Sequence, residues 1–359
     1  MASGAAIATP SVAIVIDNYN YARFLVAAVE SALAQSYGEV RVIVVDDGST
    51  DASRELLAGY ADRVELVLKE NGGQASAFNA GFAACREDIV IFLDADDVLL
   101  PDAAALVAER FAREPELVKV QYRLEVIDAD GRPTGEVKPQ PHLVLPQGDM
   151  REAELAFGFD LVWLATSGNA FRRNAVAELF PIPEERFRLC ADRYLVHLAA
   201  LLGPVASLDE IAGCYRVHGQ NSYEPQSAVV AVANVRNSIG YAAEVSVELE
   251  RTADRIGLPR LPGPILSVAD IANRLISLRL DPSEHPRPGD TRSALLVAGI
   301  RASARRSDVR PLLRAMYACW FVTTAVAPHR FVPRLGSWFL YPNSRRGLND
   351  LLGRLQRAR

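Results

Sequence analysis

Three carboxylates within four positions, Asp94, Asp96 and Asp97, follow the apolar run Ile89-Val-Ile-Phe-Leu93. Like charges at this spacing repel, and beside a buried strand they are costly unless something positive sits among them. A divalent cation meets that need, and such a cation often shares its shell with phosphate. Two more polar clusters follow apolar runs upstream. Asp17-Asn18-Tyr19-Asn20 comes after residues 13–16, and Asp46-Asp47-Gly48-Ser49 after residues 40–45. Together they suit a nucleotide diphosphate held beside a metal.

For these clusters to act together, the runs before them must be strands of one sheet. Residues 22–37 read as a helix with Leu25, Ala28, Val29, Ala32 and Leu33 on one face. Asp51 or a neighbouring hydroxyl caps a helix burying Leu56, Leu57 and Tyr60. Residues 64–68 form a third strand, and Gly72-Gly73 turns into a helix carrying Phe78 and Phe82. Residues 89–93 are the fourth strand. Pro101 opens a helix burying Leu106, Val107 and Phe111, and residues 119–127 are a further strand. Alternation of this kind gives right-handed crossovers and a mostly parallel α/β sheet, whose ligands bind at the carboxyl ends of the strands. All three polar clusters fall on that edge. Gly72, Gly73 and Gly81 lack dinucleotide-binding spacing and read as turn and packing glycines, which argues against a dehydrogenase.

Residues 128–150 are rich in Pro, Gly and charge and read as a linker or mobile loop. Residues 151–224 mix short helices and strands. Beyond Pro225 the pattern is helical, broken at 281–289 and ending in a basic tail. The expected division is residues 1–127, which carry the three polar clusters, then 128–224, then a helical region at 225–359.

A chain of 359 residues, 50% hydrophobic and 23% charged, is globular and long enough for more than one core. Cys85, Cys190, Cys214 and Cys319 have no metal or redox spacing and read as reduced thiols of a cytosolic protein. Residues 1–10 lack the charge and apolar run of a signal peptide. The net charge of −5 hides an asymmetry: residues 301–359 hold 12 Arg against two Asp, leaving −15 on the remainder. The acidic body argues against nucleic acid, and the basic end suits an anionic surface. Residues 315–327 carry no charge, but crossing a bilayer takes about 20 apolar residues. Arginines 305, 306, 310, 314, 330 and 334 flank this stretch, and Trp338, Phe339 and Tyr341 precede Arg345-Arg346. Two readings follow. The tail rests on the inner face of a membrane, or it packs on protein.

Several motifs, in order, resemble the inverting glycosyltransferases of family 2, which have the Rossmann-like GT-A fold. They are Tyr19-Asn20 with residues 31–35, Asp46–Asp51, Asn71–Gly81, Leu93–Asp97, Ser167–Arg173, Asp192 and residues 215–219. The match spans roughly residues 11–224. The resemblance implies a nucleotide-sugar donor, UDP by preference, bound by Asp17, Tyr19, Asn20, Asp47, Gln74, Asn79, Asp94 and Arg216. Asp17 departs from the small or hydroxyl residue frequent at its position. Mg²⁺ or Mn²⁺ would be held by Asp96 and Asp97, direct ligation being unassigned between them, with His218 contributing. Asp192, starting an apolar helix, would be the base that deprotonates a glycan or lipid-linked acceptor hydroxyl. Trp163 and Tyr223 either line the acceptor site or pack. A noncatalytic sugar-nucleotide-binding scaffold is the alternative. A nucleotidyltransferase needs a basic Gly-rich loop near the start, where residues 11–25 offer only Arg23.

Overall fold

Strand β1 (Val12–Asn18) is buried along nearly its whole length, and a strand buried on both faces reads as a continuous apolar run. In this computed structural model, which describes residues 9–219, 221, 230–259 and 263–341, the chain divides into two compact units. The first comprises residues up to 151 and 162–218, and the second 152–161 and from 219 onward.

The first unit begins with β1, α1 (Ala22–Leu33), β2 (Val40–Asp47), α2 (Ser53–Ala58), β3 (Glu65–Lys69), α3 (Gln74–Ala84) and β4 (Ile89–Asp94). It continues with β5 (Val98–Leu99), α4 (Ala103–Arg113), β6 (Lys119–Ile127) and β7 (Pro133–Lys138). After α5 (Arg151–Phe157), which leaves this unit at Glu152, come β8 (Asn169–Arg172), α6 (Arg173–Val176), α7 (Ala191–Leu202) and β9 (Val205–Arg216). The sheet order is β3-β2-β1-β4-β8-β6-β9-β5, with β7 on β6. The first four strands are mutually parallel, as are β6 and β9, whereas β8, β5 and β7 run antiparallel to their neighbours.

The register aligns the polar ends. Asp17 pairs with Asp94, Asn18 with Asp46, and Asp47 with Lys69. Helix α3 lies close against the sheet because Gly81 has no side chain; a Cβ there would meet Val15 Cγ1 at 2.3 Å. The stacked rings of Phe78 and Phe92, 4.2 Å apart and both buried, close the same layer. Each contributes roughly 2–3 kcal/mol by leaving water.

Several local expectations change, among them Leu56, expected in the core but 37% exposed on a helix that ends at Ala58. The first helix stops at Leu33 rather than Tyr37, and the helix after Pro101 starts at Ala103. Residues 128–150 are not wholly loop. They include β7, an outer strand whose exposed positions hide its pattern, paired with β6 through the Asp128–Arg132 turn.

The second unit contains α8 (Val232–Arg255), α9 (Val268–Leu280), α10 (Arg292–Arg305), α11 (Pro311–Val326) and α12 (Val332–Leu340). Its core joins Ile239, Ile271, Leu275, Ile276, Trp320 and Phe321. The uncharged stretch 315–327 therefore packs one face within its own unit, and Phe339 lies 4.5 Å from Trp320, ring to ring. No helix among the described residues is long and apolar enough to cross a membrane. Tyr223 and Arg345-Arg346 lie outside the described residues.

Candidate active site

The acidic cluster forms where β4 ends. One carboxylate oxygen from each of Asp94, Asp96 and Asp97 lies within 4.8 Å of the others. The turn is built by its own backbone, with Asp97 N–H donating to the Asp94 carbonyl at 3.0 Å and Ala95 N–H to the Asp17 carbonyl at 3.2 Å. Ser167 Oγ accepts from the Asp94 amide at 3.1 Å.

Burial first, then the Asp17 charge and the other carboxylates, push Asp94 well above the usual range. Burial and Asp96 do the same to Asp97. Asp17, on the neighbouring strand, is pushed up to about 8 by burial and by Asp96. Asp17 Oδ1 and Asp97 Oδ2 are buried without a hydrogen-bond partner among the described residues. Unpaired buried carboxylate oxygens are rare and expensive. A hard cation would relieve them, so this donor set fits a divalent metal.

Arg216, at the end of β9, props the cluster. Its amide donates to Asp97 Oδ1 at 2.8 Å and its Nε to the Asp96 carbonyl at 2.7 Å. Its guanidinium also reaches the Asp128 carbonyl at 3.3 Å and lies 5.0 Å over the Phe24 ring. His218 Nε2 is 2.8 Å from Asp96 Oδ2, and its ring packs on Phe24 and Tyr21. His218 thus adjoins Asp96 and stands outside the three-carboxylate group.

Asp47 is buried, and both its oxygens face the 69–73 loop. It accepts from Lys69 Nζ at 2.5 Å, Gly72 N–H at 3.0 Å and Gly73 N–H at 2.6 Å. Gly73 has φ +86°, and a Cβ there would strike the Arg188 carbonyl at 2.4 Å, so only glycine suits this turn. Asn20 also sits at positive φ and accepts from Thr50 N–H at 2.7 Å, tying the first two polar clusters together. Tyr19 beside it is 45% exposed.

Gln74 bridges the end of β4, the Thr166 segment and the start of α7. Its Nε2 donates to Asp94 Oδ1 and Thr166 Oγ1, both at 3.3 Å, and its Oε1 accepts from the Ala191 amide at 3.0 Å. That amide opens α7, whose second residue is Asp192. Burial raises the Asp192 carboxyl. Its charge also acts on Asp17 and Asp94. Asn79 is engaged with Ile182 and Glu184. Trp163 packs under Lys119 Nζ, 3.9 Å from the ring centre.

Two residues escaped the sequence reading. Tyr21, between the expected Asn20 and the first helix, feels burial and then the charges of Asp96, Asp94, Asp17 and Asp97, which raise its phenol. Lys138 on β7 lies 3.9 Å over the Tyr215 ring, and burial pushes it down to about 8 against the pull of Asp97. One signal was present: the chain has only three lysines, at 69, 119 and 138, among 39 basic residues. All three occupy specific places in this unit.

Residues 13–180 match the family model described as glycosyl transferase family 2. The chain is 34% identical over 234 residues to an uncharacterized glycosyltransferase of Nostoc sp., alr2836, covering 64% of this chain and 71% of that protein. It is 40% identical over 144 residues to the succinoglycan biosynthesis protein ExoO of Rhizobium meliloti, covering 38% of this chain and 41% of ExoO. The chain therefore spans well under half of the ExoO length. Among solved structures, S. aureus TarS 1–349 in complex with UDP-GlcNAc aligns with TM-score 0.52 at 16% identity, covering 90% of each chain. At that identity the likeness is one of fold.

Proposed function

The chain belongs to glycosyl transferase family 2 and has its GT-A-like α/β architecture, and from that premise we propose that it is an inverting, metal-dependent enzyme. On this reading it moves a sugar from a UDP-sugar to a hydroxyl of a glycan or lipid-linked acceptor. The observation that carries the reading is the convergence of Asp94, Asp96 and Asp97 at one sheet edge, with the half-buried Asp192 of α7 close enough for its charge to act on Asp17 and Asp94.

Within this reading, residues 1–127 bind the donor and 128–224 complete the acceptor side. Asp47 and Tyr19 flank the base, with Asn20 and Asp17 beside the ribose. Asp47 also orders the 72–73 amides, so base recognition and loop geometry share one carboxylate. Asp94 faces the ribose, and Asp96 and Asp97 hold Mg²⁺ or Mn²⁺ with His218 alongside. When bound, that cation supplies positive charge against the departing diphosphate. Arg216 keeps the Asp96–Asp97 turn in place and adds positive charge nearby. Gln74 positions Asp94 relative to the start of α7, and Asn79 supports the donor side through the 182–184 segment.

Asp192 accepts the proton of the attacking hydroxyl. Its raised pKa makes it a better base than an ordinary carboxylate. Attack from the face opposite the diphosphate is a single displacement, hence inversion.

A location on the inner face of a membrane belongs to the same reading and rests on the basic C-terminal segment. A thermal-shift panel of nucleoside diphosphates and nucleotide sugars with Mn²⁺ tests the donor assignment. UDP and UDP-sugars are expected to raise the melting temperature, and a flat response across the panel contradicts it.

A further inference from the structure

Helix α11 buries one face and leaves another open. Trp320, Phe321, Thr324 and Ala325 are buried, and Trp320 Nε1 donates to the Leu335 carbonyl at 3.0 Å, which fixes the rotation of the helix. The open side carries Leu312, Ala315, Cys319, Val322 and Val326. Their three- and four-residue spacing forms one continuous stripe along the helix. Leu312 is 61% exposed, Val322 43% and Val326 74%. No charge interrupts the stripe, although surface helices normally place polar residues there.

Charge gathers at both ends of this stripe. Arg305 and Arg310 are exposed before it, and Arg330 and Arg334 after it. Arg330 lies 4.9 Å over the ring of Phe331, which is itself 39% exposed. Between residues 301 and 341 the sole acidic residue is Asp308, whose two oxygens are bonded to Arg306 at 2.7 Å. The chain has no Glu after Glu284.

We propose that this face of α11 lies flat on an anionic lipid surface, with the stripe in the acyl boundary and the terminal arginines among phosphate headgroups. The pattern is that of an interfacial helix, with an apolar stripe on its open side and an arginine-aromatic pair, Arg330 and Phe331, beyond its end. Charge selects this occupant. A second copy docked through the same stripe would bring its own arginines against these, and like charges oppose that pairing. An uncharged apolar partner would leave the arginines unmatched. The consequence for function rests on the transferase reading: surface binding would bring the enzyme to a lipid-linked acceptor.

The test is cosedimentation of the full chain with phosphatidylglycerol-containing vesicles and with pure phosphatidylcholine vesicles. The Val322→Asp/Val326→Asp and Arg310→Gln/Arg330→Gln variants run alongside. Wild type is expected to pellet with the anionic vesicles alone and to be released by about 0.5 M salt. Each double variant is expected to lower vesicle affinity about tenfold or more. All four positions are exposed, so the variants should melt as wild type does, and a melting curve checks this. Absence of wild-type pelleting, or equal pelleting of folded variants, overturns the proposal. So does a dimer in sedimentation equilibrium that the Asp variant dissolves while vesicles bind neither protein. Vesicle binding needs no turnover, so a negative result here leaves the transferase reading standing, and loss of transfer activity leaves this one standing.

Discussion

Replacing Asp17 by Asn removes one negative charge from the acidic edge while keeping the shape of the side chain. Asp17 rises from 3.8 to about 8 in the folded protein, through burial and then Asp96. Because the folded-state value is raised, its contribution to stability is fully present below 3.8 and is lost as pH climbs toward 8. Four pKa units at about 1.4 kcal/mol each give a loss on the order of 5 kcal/mol by pH 8, most of it between pH 5 and 8. Asp94, Asp97 and Asp192 shift in the same direction and add to the slope. Asn at position 17 has no proton to lose and leaves the remaining carboxylates with one fewer repulsive neighbour. Urea unfolding of the metal-free protein from pH 5 to 8 is the assay. The Asp17→Asn midpoint should exceed wild type by roughly 1–2 M urea at pH 8 and converge with it at low pH. Mn²⁺ should restore wild type more strongly at pH 8 than at pH 5, because the cation replaces the proton as the neutralising charge. Parallel wild-type and variant curves across this range would refute the reasoning.

Three further outcomes follow from the geometry. Asp192→Asn should lower sugar transfer about 10²–10⁴-fold while leaving nucleotide binding by calorimetry unchanged. Arg216→Met removes the props at the Asp96 and Asp128 carbonyls; Mn²⁺ affinity by calorimetry should weaken about 10–100-fold. Gly81→Ala sets a methyl 2.3 Å from Val15 Cγ1, and thermal or urea unfolding should show about 1–3 kcal/mol of destabilisation.

The parallel half of the sheet was legible because β1, β2 and β4 are nearly continuous apolar runs that end in polar clusters. Their register then carries Asp17 to Asp94 and Asn18 to Asp46 without further information. The antiparallel half was not legible. β7 has mostly exposed side chains, so no alternation marks it, and only its pairing with β6 makes it a strand. β9 interrupts its apolar pattern at Asp209-Glu210, where its register with β6 shifts.

The site divides in the same way. Carboxylates at strand ends announce themselves locally. Tyr21, Lys138 and the bridging bonds of Gln74 depend on segments far apart in the chain, and nothing in their immediate surroundings reveals them. The C-terminal aromatics gave the opposite lesson. Trp320 and Phe321 suit a membrane surface by composition, yet they form core, and the exposed face of their helix belongs to smaller residues.

The central claim is single displacement at the acidic edge, and the anomeric configuration of the released sugar tests it most directly. Water can stand in for the acceptor. Proton NMR of a UDP-sugar incubated with enzyme and Mn²⁺, recorded before mutarotation, resolves the two anomers. The account predicts that the anomer opposite to the donor's appears first and that Asp192→Asn abolishes its release. Release of the donor's own anomer first, or of no sugar from any UDP-sugar that binds, would contradict it.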